Sequence, residues 1–323
     1  MIVVTGGAGF IGSSFIWRLN QEGITEIVVV DNLGATEKWK NLVGRSYADY
    51  IHKETFLGLV KNQAVPFEVE AVVHLGACSA TTERDADYLM ENNYRYSRLL
   101  AEWALSRQVR FVYASSAATY GDGTLGFSDA DEKTRKLRPI NMYGYSKHLF
   151  DLWLLAKKIQ DRVAGVKFFN VYGPNEYHKG DMRSVVHKAY GQIREEGAVN
   201  LFKSYQAAYE DGGQKRDFIY VKDCVDVLLW LVRQPQVNGI FNLGTGTART
   251  WNDLARSIFQ ALNLAPQIRY IDMPPALRSQ YQYFTQAGMD KLRAAGYETS
   301  FHSLEEGITD YLKGYLETPN PYL

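Results

Sequence analysis

The 323-residue chain predicts an α/β fold, a doubly wound parallel sheet followed by a smaller, mostly helical C-terminal lobe. Three observations carry that expectation. Short Val- and Ile-rich runs alternate with helical stretches through the first half, the pattern of βαβ units. The runs are nearly continuous in apolar residues, as strands covered by helices on both faces require. A glycine turn, Gly7-x-Gly9-x-x-Gly12 preceded by Gly6, joins the first run to the first helical stretch.

In chain order, strands are expected at 2–5 (IVVT), 26–31 (EIVVVD), 71–77 (AVVHLGA), 110–116 (RFVYASS), 165–171 (GVKFFNV) and 239–245 (GIFNLGT). Helices are expected between them at 11–21, 87–107, 143–160 and 221–233. Beyond Gly173 strands become sparse, and helices fall near 184–196, 252–262 and 304–315, the last opened by a capping box, Ser303-x-x-Glu306. The runs FIYVKD and GIFNLGT are expected to return to the main sheet. The division that follows is 1–172 with 216–245 as one lobe, and 173–215 with 246–323 as the other.

Hydrophobic residues at 46% and charged residues at 22% are ordinary for a globular chain. The 36 basic and 36 acidic residues leave no net field to gather nucleic acid or an anionic membrane, so neither is expected as a partner. The chain opens directly on a strand, and no apolar run approaches the ~20 residues of a membrane helix. A cytoplasmic location is the expectation. Cys78 and Cys224 lie far apart in apolar stretches and are expected as buried free thiols. The six histidines are scattered, with no metal-ligand spacing.

The glycine turn has a specific physics. One glycine permits the tight turn, one lets backbone approach a pyrophosphate, and one lets helix pack on strand, with the helix N-terminus facing the anion. Asp31 ends the next strand, where an acid meets the adenosine ribose of a bound dinucleotide in a Rossmann-type fold. An acid there repels a 2′-phosphate and favours NAD. Lys38 and Lys53 supply compensating positive charge, which favours NADP, so the residues leave both open.

INMYGYSKHLF places Tyr143 and Lys147 at i and i+4, on one helix face. A phenol with pKa near 10 needs a shift of roughly 3 units, about 4 kcal/mol, to act as a base at neutral pH. A neighbouring ammonium and a bound nicotinamide cation are two charges of the right sign. Ser116, at the end of the strand in VYASSAATYG, is placed to hydrogen-bond the same hydroxyl. Lys179 follows the run GVKFFNV on a glycine-flanked loop, at the carboxyl edge of the sheet where ligands bind in such folds.

With these motifs and the late KRDFIYVKD, the chain resembles the extended short-chain dehydrogenase/reductase family from end to end. Its nucleotide-sugar members oxidise a sugar carbinol with bound NAD(P) and then alter the ketone. Ala117 and Ala118 stand where dehydratase relatives carry an Asp-Glu pair, and methyl groups cannot move protons, so dehydration is disfavoured. Net dehydrogenation stays open. Epimerisation with rotation of the oxidised carbon in place asks for a second proton donor, which Lys179 supplies.

The stretches FNVYGPNEYHKGDM, ENNYRYS, LGACSATTE and YQYFTQAGMDKLRAAGY narrow the resemblance to the ADP-heptose 6-epimerase group. That resemblance implies epimerisation at C6 of ADP-D-glycero-D-manno-heptose through a 6-keto intermediate, for the lipopolysaccharide core. The alternatives are a C4 epimerase of a UDP-hexose and a non-catalytic nucleotide sensor. Carried over by position, Tyr143 and Lys179 are the acid/base groups, supported by Lys147 and Ser116. NADP, with NAD possible, is implied as the cofactor. Its site comprises Gly6, Gly9, Phe10, Ile11, Gly12, Asp31, Asn32, Lys38, Lys53, Leu75, Gly76, Ala77, Cys78, Ser79, Asn92, Lys147, Val171 and Lys179. The sugar nucleotide is assigned to Ser116, Asn170, Asp181, Lys188, Phe202, Lys203, Ser204, Tyr205, Arg216 and Tyr281. A homo-oligomer, specifically a pentamer, is also implied.

Overall fold

The computed structural model describes residues 1–278 and 281–323. The strands are β1 (Ile2–Thr5), β2 (Ile27–Asp31), β3 (Asp49–His52), β4 (Ala71–His74), β5 (Arg110–Ser116), β6 (Ala164–Phe168), β7 (Asn170–Tyr172), β8 (Val199–Phe202), β9 (Lys215–Tyr220), β10 (Gly239–Leu243), β11 (Ala248–Thr250) and β12 (Ile268–Ile271). Seven form one parallel sheet in the order β10-β6-β5-β4-β1-β2-β3. The strand order reverses between β1 and β4, which opens a crevice at their carboxyl ends.

Helices cover both faces, and successive strand residues alternate between them. Val4 and Val29 pack with Phe15, Ile16 and Leu19 of the helix Phe10–Gln21 and with Val225 and Leu228 of the helix Val221–Arg233. Val3 and Val28 pack on the other side, with Phe56, Leu100, Phe150 and Leu154. This two-sided burial explains why the predicted runs read as continuous rather than alternating.

The second half departs from expectation in one respect that matters. GIFNL returns to the main sheet as β10, whereas FIY belongs to β9, the centre of a separate three-stranded sheet ordered β11-β9-β7. The expected strand 165–171 is accordingly two strands. The chain steps off at Phe169, whose N–H donates to the Leu243 carbonyl at 3.0 Å, and β7 then pairs with β9. A single apolar run hid that step. β3 was not anticipated because DYIH is half-exposed and carries no apolar run. β8 and β12 form a further parallel pair.

The expected helix 87–107 divides into Ala86–Leu89, a π-helical turn at Met90–Arg95, and Tyr96–Ser106. The wider turn carries Asn92 and Asn93 to the crevice. Asn93 is fully buried and exchanges two hydrogen bonds with the Cys78 backbone, at 2.9 and 3.0 Å. Cys224 is buried as expected; Cys78 is only half-buried, because it lies at the crevice rather than in the core. The capping box at Ser303 and Glu306 is present. Among the described residues no helix is long and apolar enough to cross a membrane.

The helix Met142–Lys157 packs at its start against the turn that follows β5, and at Asp151 it is tied to β5 and β6. Asn141 caps it, accepting from the Gly144 N–H at 2.7 Å. A Cβ on Gly144 would sit 2.6 Å from the Ala118 carbonyl oxygen, so only glycine allows this approach. Further along, Asp151 is fully buried and accepts from Lys167 Nζ (2.6 Å), Ser115 Oγ (2.8 Å) and Tyr113 OH (2.9 Å). Lys167 also donates to Thr119 Oγ1 at 2.8 Å. Removing one member of such a pair strands the other charge in the core. Lys167→Met is therefore expected to lower unfolding stability by about 3–5 kcal/mol in urea titration, with Asp151→Leu/Lys167→Met recovering most of the loss.

Candidate active site

A cavity of about 580 Å³ occupies the crevice. Its floor is the glycine turn. Gly9 precedes the helix Phe10–Gln21 in extended conformation and offers no side-chain cap, so the first helical N–H groups face the cavity unpaired by side chains. A Cβ on Gly12 would overlap the Gly6 carbonyl oxygen. The cradle is thus bare backbone held at close quarters, which fits a dinucleotide pyrophosphate.

The next stretch of wall is polar and largely self-satisfied. Asp31, buried at the end of β2, accepts from the Ala8 N–H (2.8 Å), the Asn32 N–H (2.6 Å) and Lys38 Nζ (2.5 Å). Lys53 Nζ donates to Asn92 Oδ1 at 2.6 Å. Leu75, Gly76, Ala77, Cys78 and Ser79 line the wall beyond β4, and Phe10, Ile11 and Val171 supply apolar surface. Every residue expected around the dinucleotide lines this one cavity.

Ser116, Tyr143 and Lys147 line it too. Lys147 Nζ, almost wholly buried, donates to the Ala114 carbonyl at 2.8 Å. Burial lowers its pKa from 10.5 to about 8, against the opposing pull of the Asp151 carboxylate. Tyr143 runs counter to the sequence expectation of a lowered phenol. Burial raises it, and the Ser116 hydroxyl opposes the rise. A cation beside the phenol is what would reverse the balance.

Lys179 lines the same cavity from another element, the turn Tyr177–Met182. Its Nζ lies 5.2 Å from the Phe10 ring centroid and makes no ion pair within 4 Å among the described residues. Burial lowers its pKa, and the Glu176 carboxylate opposes this. Gly180, at φ 53°, permits the turn.

The expected sugar-nucleotide residues divide. Ser116 and Asn170 line the cavity. Arg216 lies just outside, its guanidinium carbon 5.7 Å from the Trp251 ring centroid and 5.3 Å from that of Tyr281, with Trp251 Nε1 donating to Tyr281 OH at 3.0 Å. Asp181, Lys188 and the segment from Phe202 through Lys203 and Ser204 to Tyr205 do not line it. Lys188 Nζ turns back to the Asp181 carbonyl at 2.5 Å, and both residues are exposed. Ser204 N–H caps onto Asp211 Oδ1 at 2.7 Å, and the Tyr205 ring stacks under the Arg278 guanidinium at 3.9 Å. Lys188, Ser204 and Tyr205 are thus engaged with local partners outside the cavity.

Sequence reasoning missed His178, Met182, Arg183, Ser184 and Trp251, all of which line the cavity. The first four sit in or beside the stretch that drew attention to Lys179. Trp251 opens the helix Trp251–Ala261, which the structure caps with Thr250 and Asp253, and a tryptophan there reads as core.

Residues 2–244 match the NAD dependent epimerase/dehydratase family. The chain belongs to this family. It is 61% identical over the whole length of both chains to the ADP-L-glycero-D-manno-heptose-6-epimerase of Nitratidesulfovibrio vulgaris strain DP4. It is 47% identical, again over the whole of both chains, to the protein of that name from Fusobacterium nucleatum. Among solved structures it resembles the Helicobacter pylori ADP-L-glycero-D-manno-heptose-6-epimerase, with a TM-score of 0.81, 28% identity, and coverage of 97% of this chain and 95% of that one. As a member of the epimerase/dehydratase family it is an enzyme whose fold serves a nicotinamide cofactor.

The depressed Lys147 pKa has a direct consequence. Between about 8 and 10.5 the unfolded chain holds that proton while the folded chain has released it, so this group makes stability rise with pH across the window. Chemical denaturation across that range should show the rise in the native protein and a flatter profile in Lys147→Met.

Proposed function

We propose that this chain inverts C6 of ADP-D-glycero-D-manno-heptose, giving the L-glycero epimer by way of a transient 6-keto sugar with no net redox change. One observation carries the reading: two proton-handling side chains from different elements, Tyr143 and Lys179, line one cavity beside a dinucleotide cradle. The full-length likeness to proteins named for this epimerisation supports the substrate. Ala117 and Ala118 follow Ser116 with no carboxylate for dehydration.

When bound, the nicotinamide supplies the acceptor and then the donor of the C6 hydride. The protein handles the proton. Ser116 and Tyr143 hold the C6 hydroxyl from one side, and the Lys147 ammonium favours the phenolate as the proton leaves. After rotation about C5–C6 the oxygen faces Lys179, which exchanges the second proton. A lysine pKa lowered by burial suits that exchange, because the ammonium then gives up its proton more readily than a solvated one. The Phe10 ring beneath the ammonium keeps water from that side. Arg216, whose guanidinium lies near the Trp251 and Tyr281 rings, is assigned to the diphosphate. The cofactor is assigned as NADP, supported by the Lys38 ammonium that neutralises Asp31. The lobe of residues 1–172 with β10 carries the cofactor, and the remainder, including β9, closes over the sugar. A biosynthetic enzyme of this kind is assigned to the cytoplasm, as a homo-oligomer.

Either ADP-heptose epimer, incubated with purified protein and no added cofactor, should interconvert when C6 stereochemistry is followed by NMR. Tyr143→Phe and Lys179→Met should each slow the reaction by about 10²–10⁴-fold. Turnover of UDP-galactose instead, with Lys179→Met nearly silent, would move the assignment to C4 epimerisation of a hexose nucleotide.

A further inference from the structure

His178 stands next to Lys179 in the chain but faces a different problem. The turns Glu37–Leu42 and Tyr177–Met182 pack against each other beside the end of β2. Asn41, 2% exposed, bridges them. Its Nδ2 lies 2.9 Å from the Ala8 carbonyl, 3.1 Å from the Asn175 carbonyl and 3.1 Å from His178 Nδ1. Two carbonyl oxygens only accept, so this end of the amide is the NH₂ group; its two hydrogens are shared among three acceptors, and because an amide nitrogen offers no lone pair, His178 Nδ1 faces it as an acceptor. Burial and the nearby Lys38 and Lys179 ammonium groups keep the imidazole neutral, with its pKa down at about 4. A neutral ring that accepts at Nδ1 carries its proton on Nε2. That N–H has no protein partner among the described residues, and the ring lines the cavity.

The polarity around it is one-sided. Asp31 Oδ1 already receives Lys38 Nζ and the Asn32 N–H, and Oδ2 receives the Ala8 N–H. An adenosine ribose with a free 2′-hydroxyl wants an acceptor here, and the acceptor is engaged and paired with a cation. A phosphate wants donors, and Lys38 and the His178 N–H are donors. We propose that His178 donates from Nε2 to the 2′-phosphate of the adenosine ribose and, with Lys38, distinguishes NADP from NAD. This rests on the assignment of NADP above and adds a residue that fixes it. Asn41 is the positioning residue, since it decides which ring nitrogen carries the proton.

The test is calorimetric binding of adenosine 2′,5′-bisphosphate and of 5′-AMP to the full-length chain freed of nucleotide, with no turnover involved. The native protein should prefer the bisphosphate. His178→Ala should lose about tenfold in affinity for the bisphosphate and little for 5′-AMP, the effect of one hydrogen bond to a charged acceptor. His178→Gln, whose amide reaches the Nε2 position, should recover most of it. Should the alanine variant fail to fold, His178→Asn, which has no donor at that reach, should show the same selective loss. No preference in the native protein overturns the NADP assignment and this proposal together. A preference that survives in His178→Ala, or an equal loss for both nucleotides, overturns the proposal and leaves the NADP assignment standing.

Discussion

The site depends on two polar side chains with no exposed surface. Asn175 and Glu176 follow β7 at the point where the chain has left the main sheet, and neither has access to water. Glu176 accepts from Ser184 Oγ at 2.7 Å, from Tyr311 OH at 3.1 Å and from the Ser184 N–H. Asn175 Nδ2 donates to Ser13 Oγ at 3.0 Å, and its Oδ1 accepts from the Leu323 N–H. A buried polar group without a partner costs about 1–3 kcal/mol, so each of these bonds penalises any other path for the loop. The loop therefore meets the first helix, the helix Leu304–Tyr311 and the chain's last residues at fixed points. Lys179 is delivered to Phe10 as a consequence, on a turn that would otherwise be free to move.

The same enclosure sets the proton affinities. Burial disfavours charge, so it lowers both lysines and raises the tyrosine. Starting from 10.5 for the lysines and 10.0 for the tyrosine, those movements drive the lysines and the phenol apart, so a cationic neighbour is what would bring the phenol back down. Two buried carboxylates limit the effect. Asp151 sits one turn beyond Lys147, and Glu176 sits three residues before Lys179, and each favours the charged form of its lysine. Asp151 is itself held by Lys167, so the support for the helix Met142–Lys157 and the tuning of its Lys147 are one cluster.

Much of this was legible in the sequence, for identifiable reasons. β1, β2, β4 and β5 are buried on both faces, and a strand in that position must be written in continuous apolar residues. Tyr143 and Lys147 were legible because helical spacing alone puts them on one face. Lys179 was legible because a lysine between His178 and Gly180, just past an apolar run, has no packing reason to be there. β9 was misplaced because a strand central to a small sheet reads like one in a large sheet. The segment 202–205 was carried over by position, and position does not report that Ser204 and Tyr205 are engaged with Asp211 and Arg278. His178 escaped because its role is set by Asn41, a residue 137 positions away.

Asp31 shows why residue type alone left the cofactor open. An acid at the end of the second strand argues for a ribose hydroxyl only while its carboxylate is free to accept and its charge is unbalanced. Here the nearest cation is 2.5 Å away on a turn seven residues later, and the turn is itself fixed by Asn41. Once Lys38 occupies Oδ1, the pair presents no net charge to a ligand, and neighbouring donors outnumber free acceptors. The repulsion expected of a lone carboxylate falls away at the short range where Coulomb terms are strongest. The acid then serves the fold, by tying the Ala8 and Asn32 backbones to the end of β2, and what the cavity selects is left to the donors around it.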